Sequence, residues 1–189
     1  MPRAGLSADV LVAEAVRVVD REGAGALTLR ALADHFGVAQ PSLYKHIAGL
    51  DDLHGRLAVV AARDLGTALR RAASGKAGAD ATAAVATAYR RYARRHPGCY
   101  GYLLRPRPGD EEHARATAEI LAVLDDVLAG YGIVADDDRV DAVRCLRSLL
   151  HGFVSLETAG GFALARPVEQ SFDAAVAALD AMLRNWVAV

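Results

Sequence analysis

Residues 28–47, TLRALADHFGVAQPSLYKHI, decide the fold, because their apolar spacing and turn chemistry describe two short helices meeting at a tight corner. Thr28 brings a hydroxyl that can cap free backbone amides, and Leu29, Leu32, Ala33 and Phe36 follow at the i, i+3, i+4, i+7 spacing of one buried stripe. Gly37 tolerates the positive φ that ends a helix, and Val38 returns the chain to the core. Pro41 falls in the first turn of the second helix, where no N–H is needed. That helix keeps only Leu43 and Ile47 as inward residues. Its other face carries Gln40, Ser42, Tyr44, Lys45 and His46, polar groups with the reach for base edges and phosphates in a major groove.

Working outward, a first helix is predicted from the Ser7 cap to about Glu22, with Leu11, Ala15, Val18 and Val19 inward and Gly23 and Gly25 stopping it. It completes a three-helix unit too small to be robust alone. Asp51 and Asp52 suit the positive end of a fourth helix that continues through Leu53, Leu57 and Val60 toward Leu65 and Leu69. Residues 74–80, SGKAGAD, have linker composition, and the helical pattern resumes at about Ala81. The next helix places Val85, Ala88, Tyr89 and Tyr92 on one face, and Arg90, Arg91, Arg94 and Arg95 read as a solvated face. His96-Pro97-Gly98 terminates it, and the proline-rich stretch 97–109 supports one helical turn around Tyr100 to Leu104. A helix from Asp110 buries Leu121, Leu124, Leu128 and Tyr131 before Gly132, and Asp136 is the expected cap of its successor. Two terminal helices then carry wide apolar stripes: Val143, Leu146 and Leu150 in one, Phe172, Val176, Leu179, Leu183 and Trp186 in the other. Such stripes exceed what one small domain covers, which points to a helical dimer interface.

At 189 residues the chain can bury roughly 70% of its unfolded surface without a disulfide or metal staple. Its two cysteines, Cys99 and Cys145, lack the spacing of a zinc site or disulfide framework, and a reduced, cytoplasmic setting is expected. No uncharged apolar run approaches the roughly 18 residues of a membrane span. Net charge is −1, and the first 60 residues hold six basic against seven acidic side chains. Attraction to nucleic acid must therefore be local, its salt dependence shallow, and its strength reliant on pairing two heads.

The run of Thr28, Leu32, Ala33, Gly37, Val38, Ser42, Leu43, Tyr44 and His46 resembles the helix-turn-helix of TetR-family transcriptional repressors. The resemblance implies DNA-facing roles for Arg30, Gln40, Pro41, Ser42, Tyr44, Lys45 and His46, with Thr28 counted among the DNA-binding residues. Leu50 stands where the family usually has a phosphate-binding lysine, and Leu29 where it often has a threonine. Leu150-His151-Gly152-Phe153, with Glu157 and Gly160-Gly161-Phe162, is similar to the subgroup whose effector domain is named for a Trp-His-Gly motif, Leu150 replacing the tryptophan. The implied architecture is all-α: a helix-turn-helix domain over 1–50, a connecting helix over 51–73 and a larger ligand-binding, dimerising domain over 81–189. The implied partners are a double-stranded DNA operator, a small-molecule effector and a second copy of the chain, with no membrane, cofactor or metal.

Such a regulator needs an internal cavity, and the candidates to line it are Tyr89, Tyr92, His96, Tyr102, Leu121, Leu124, His151 and Glu157, each of which also suits plain core. His54 and His113 read as surface residues. Catalysis is the rival class: His151 with Ser155, or His96 with Cys99, pairs a nucleophile with a base, but neither has an orienting acid or an oxyanion loop. Glycine-rich phosphate cradles, HExxH helices and nucleophile elbows are missing from the sequence, so no enzyme is expected. A helical protein–protein interaction module without DNA binding is the remaining alternative.

Overall fold

In a computed structural model that describes residues 5–105 and 107–186, the local signals of the amino-terminal third act where the sequence places them. The Ser7 hydroxyl accepts the Val10 N–H at 3.3 Å and opens α1, Ala8–Glu22, which Gly23 ends at φ 85°. The Thr28 hydroxyl accepts the Ala31 N–H at 3.0 Å and opens α2, Leu29–Phe36. Gly37 then takes the left-handed conformation at φ 64°, and the Val38 N–H bonds back to the Ala33 carbonyl at 3.0 Å. The second helix of the pair differs from the α-helix read in sequence: Gln40–Lys45 is a 3₁₀ helix. Pro41 contributes no N–H, and six residues between two turns favour the tighter i→i+3 bond, as Ser42 N–H to Ala39 carbonyl at 2.8 Å shows.

After it, the Asp52 carboxylate reaches back to the Ala48 N–H at 2.9 Å and fixes the entry to α3, Leu50–Ala73. Helix α4, Gly78–Arg95, begins three residues ahead of the sequence reading. Residues 97–109 are more helical than expected, with α5 at Pro97–Tyr100 and a 3₁₀ turn at Gly101–Leu104. Helix α6 covers Glu111–Ala129, α7 Asp136–Thr158 and α8 Val168–Arg184. Asp136 is not the cap of α7. The cap position is Ala135, and Asp136, Asp137 and Asp138 occupy the first turn, where their negative charge complements the positive end of the helix dipole. Trp186 lies beyond the end of α8 and so leaves its stripe. Among the described residues there is no strand, and no helix is long and apolar enough to cross a membrane.

The chain divides into two compact units, Met1–Ala62 with Arg95–Arg115, and Arg63–Arg94 with Ala116–Val189. Residues 95–115, placed with the body in the sequence reading, pack in the first unit. Its core joins Leu11, Ala15 and Val19 of α1 to Leu32, Leu43, Ile47, Leu53 and Leu57, and adds Cys99 and Tyr102 from the later segment. The join is a close backbone approach: a Cβ built on Gly98 would lie 1.9 Å from the Val19 carbonyl oxygen. Beside it, the Asp20 carboxylate accepts the Cys99 N–H at 2.8 Å and bonds His96 Nδ1 at 2.8 Å.

In the second unit, Leu65, Val85, Tyr89, Leu124, Leu128, Leu146, Leu150 and Leu179 are buried. A polar relay crosses it, from the Thr82 hydroxyl to the Tyr131 hydroxyl at 2.8 Å, and from Tyr131 to the Asp180 carboxylate at 2.6 Å.

Because no side chain fits at position 98, Gly98→Ala is expected to lower stability by about 3 kcal/mol. Gly101→Ala, three residues on with open space around its Cβ position, is expected to change stability by less than about 1 kcal/mol. Urea unfolding of the two variants measures the difference, and equal midpoints would refute the close approach.

Candidate functional site

The reading helix is held by little. Leu43 and Ile47 are buried under it, a pair worth about 1.5–3 kcal/mol each, while its remaining side chains stay accessible. Gln40, Pro41, Tyr44 and Lys45 are exposed, Tyr44 at 54%, and Ser42 and His46 are half-buried. An aromatic ring left this open on a six-residue helix has no packing role. Thr28 is exposed but its hydroxyl is engaged by the Ala31 N–H, and Arg30 projects into solvent with Asp34 at 3.8 Å. Leu50 is half-buried at the start of α3 and offers no charge. Nearby, Arg56 is bonded to Asp52 at 3.0 Å, whereas Arg30, with only the longer contact to Asp34, and Lys45 are exposed cations of the reader.

The eight cavity candidates are divided between the two units. Tyr89, Tyr92 and Leu124 are buried in the second unit, and Leu121 and His151 are half-buried there. The His151 ring lies 3.3 Å from the Ser155 hydroxyl, and burial together with Arg147 keeps its pKa below the ordinary histidine value. His96 and Tyr102 belong to the first unit, His96 as the partner of Asp20 and Tyr102 within the core. A recess of about 240 Å³ opens between α6 and α7, lined by Leu121, Asp125, Arg139, Val140, Val143, Arg144 and Arg147.

Glu157 is engaged within the protein. Its carboxylate takes a forked pair of hydrogen bonds from the Arg90 guanidinium, one at 2.7 Å. This corrects the solvated-face reading for Arg90, whose side chain is 11% exposed against 14% for Glu157, while Arg91, Arg94 and Arg95 are exposed as that reading has them. Arg90 also lies 3.4 Å from Glu169 and over the rings of Phe172, at 4.7 Å, and Phe153, at 5.8 Å. The hydrogen bond from Arg90 holds the Glu157 carboxyl below its ordinary range, against the opposing effect of burial. A signal for this was present: position 90 follows Ala86 by four and precedes Ala93 by three, inside the buried stripe.

The expected dimer stripe is also mostly internal. Val143, Leu146, Leu150, Phe172, Leu179 and Leu183 are buried within the second unit, and only Val176 and Trp186 keep partial exposure. Apolar periodicity marks a buried face without distinguishing a neighbouring helix from a neighbouring chain. The outward side of α8 instead presents Ala174, Ala177, Ala178 and Ala181.

The residue pattern of "Bacterial regulatory proteins, tetR family" matches residues 11–53, and that of "Tetracyclin repressor-like, C-terminal domain" matches residues 82–179. An uncharacterized HTH-type transcriptional regulator of Mycobacterium tuberculosis, Rv0681, is 40% identical over 159 residues, covering 83% of this chain and 72% of that protein. A protein of unknown function from Rhodococcus sp. RHA1 has the same fold, with a TM-score of 0.82 and 23% identity over 98% of this chain and all of its own. A TetR variant from Acinetobacter baumannii AYE, crystallised with minocycline, superposes with a TM-score of 0.71 at 19% identity, covering 97% of this chain and 99% of that one.

Glu157→Gln is expected to destabilise the protein by about 3 kcal/mol, since it leaves the Arg90 charge without its forked partner. Glu157 titrates lower folded than unfolded. Its contribution is therefore complete above the ordinary carboxylate range and is lost as pH falls through the depressed folded value. Unfolding free energies measured from neutral pH downward should converge for parent and variant; parallel curves would show that the pair contributes nothing.

Proposed function

This chain belongs to the TetR family of bacterial regulatory proteins, and we propose that it acts in the cytoplasm as a dimeric repressor that binds an inverted-repeat operator and is released by a small-molecule effector. The carrying observation is the exposed face of the reading helix, with Gln40, Tyr44 and Lys45 outward and Leu43 and Ile47 inward. Gln40, Ser42, Tyr44 and His46 meet base edges, and Pro41 lets the helix end approach closely. Thr28, Arg30 and Lys45 meet phosphate, and two heads enter successive major grooves about 34–36 Å apart.

The second copy docks on the outward sides of α7 and α8, where Leu149, Val176 and Trp186 keep partial exposure around the small side chains of α8. Small residues permit close helix approach, and the buried stripe beneath stiffens the surface. An effector bound among Tyr89, Tyr92, Leu121, Leu124 and His151 lowers DNA affinity by its differential affinity for two head spacings. Its influence leaves the body along α4, which ends at Arg95, one residue before the His96 bond to Asp20 and three before Gly98. The minocycline complex of the Acinetobacter TetR variant supports an effector of drug-like size in the same fold.

With few phosphate contacts per head, the operator affinity should fall with salt on a log–log slope no steeper than about −4 for a dimer. Lys45→Ala should flatten that slope by about one per head, and Tyr44→Ala should cost about 2 kcal/mol per head at unchanged stability. Fluorescence anisotropy at several salt concentrations reads both, and parent-like binding by Tyr44→Ala would remove the assigned reading face. For the dimer, Ala178→Arg should sediment as a folded monomer with weakened operator binding; an unchanged dimer would place the interface elsewhere.

A further inference from the structure

The first unit contains a group of polar side chains that the DNA-reading role does not use. Tyr102 is 1% exposed, yet its hydroxyl has no hydrogen-bond partner among the described residues. The His54 ring lies 5.4 Å from the Tyr102 ring, and its Nε2 is likewise buried and without a partner among the described residues, which corrects the surface reading of His54. Arg107 lays its guanidinium where a Cβ on Gly55 would stand, 2.8 Å away, one residue along α3 from His54. Arg105 stacks its guanidinium over the Tyr102 ring at 4.6 Å. Arg107 is matched by Asp110 at 3.5 Å and by Asp51 at 3.4 Å, but the Asp51 side chain is 91% exposed and screened by water. Arg105 forms no ion pair among the described residues. His113, on the first turn of α6, has a buried Nε2 that is also without a hydrogen-bond partner among the described residues, and it donates its backbone N–H to the same Asp110 at 2.9 Å.

Buried side-chain donors without partners are rare, because each has surrendered its water and gained nothing in return. Two of them in ring contact, flanked by two arginines, have the chemistry of an anion cradle. We propose that Tyr102 and His54 form a binding site for a small anion bearing a carboxylate or a phosphate, with Arg105 as its countercharge. The Tyr102 hydroxyl donates to one anion oxygen and His54 Nε2 to another. Burial, which disfavours charge of either sign, is the main cause that pushes the His54 pKa down; Arg105 and Arg107 add to it with the positive field that would attract an anion, and Asp51 opposes them. The site is distinct from the body residues Tyr89, Tyr92, Leu121, Leu124 and His151, and it bridges the start of α3 to the 3₁₀ turn at Gly101–Leu104. An anion held there braces the helix that directly follows the reading helix.

The test uses the full chain, titrated separately with inorganic phosphate and sodium acetate at constant ionic strength in chloride, with side-chain histidine resonances and calorimetry as readouts. A saturable shift of the His54 resonance at one anion per chain is expected, and the anion that saturates at the lower concentration identifies phosphate or carboxylate as the class. Tyr102→Phe and Arg105→Gln should each weaken binding at least tenfold. Without anion, Tyr102→Phe should melt no lower than the parent, since it removes a hydroxyl that has no partner. Absence of a saturable shift with both anions, parent-like binding by Tyr102→Phe, or a lowered melting temperature of that variant in the absence of anion would each overturn the proposal.

Discussion

The contact on which the DNA-reading unit depends is the approach of α5 to the end of α1, backbone against backbone, at Gly98 and Val19. No side chain mediates it. Its directionality comes from Asp20, whose two carboxylate oxygens are divided between the His96 ring and the Cys99 amide, so that the α5 segment is fixed in position and orientation at once. The three helices around residues 8–45 bury few apolar side chains by themselves, and Cys99 and Tyr102 from this later segment complete their core. In the chain, a single residue, His96, separates α5 from the end of α4.

The body uses a different principle. Its helices bury an ordinary apolar core, but their registry is set by polar groups that can be satisfied in only one arrangement. Arg90 from α4 meets Glu157 from α7 and Glu169 from α8, and Thr82, Tyr131 and Asp180 link α4, the turn after α6, and α8. Apolar stripes tolerate sliding by a turn, whereas a forked guanidinium–carboxylate pair between phenylalanine rings does not.

What was legible in the sequence is what local chemistry determines. Ser7, Thr28 and Gly37 act through neighbours three to five residues away, and their roles were readable. Leu43 and Ile47 gave the inward face of the reading helix, though not its 3₁₀ winding, which follows from its shortness and Pro41. What was hidden depends on partners far along the chain. Arg90 looked like solvated charge because Glu157 is 67 residues away, and Gly98 looked like a helix stop because Val19 is nowhere near it in sequence. His54 looked exposed because nothing local announces that Tyr102 will cover it. The wide stripes of α7 and α8 were readable as buried, but Leu146, Leu150, Leu179 and Leu183 bury against their own chain, and the exposed side of α8 carries small residues that periodicity discounts.

Whether the chain reads an operator is decided by selection of the purified protein against random duplex DNA. The account predicts enrichment of an inverted repeat whose half-sites lie about one helical turn, roughly 10 base pairs, or a multiple of it, apart, with the enrichment abolished when Tyr44 is replaced by alanine. Failure to enrich any sequence at low and at moderate salt, by protein shown to be folded, would contradict it.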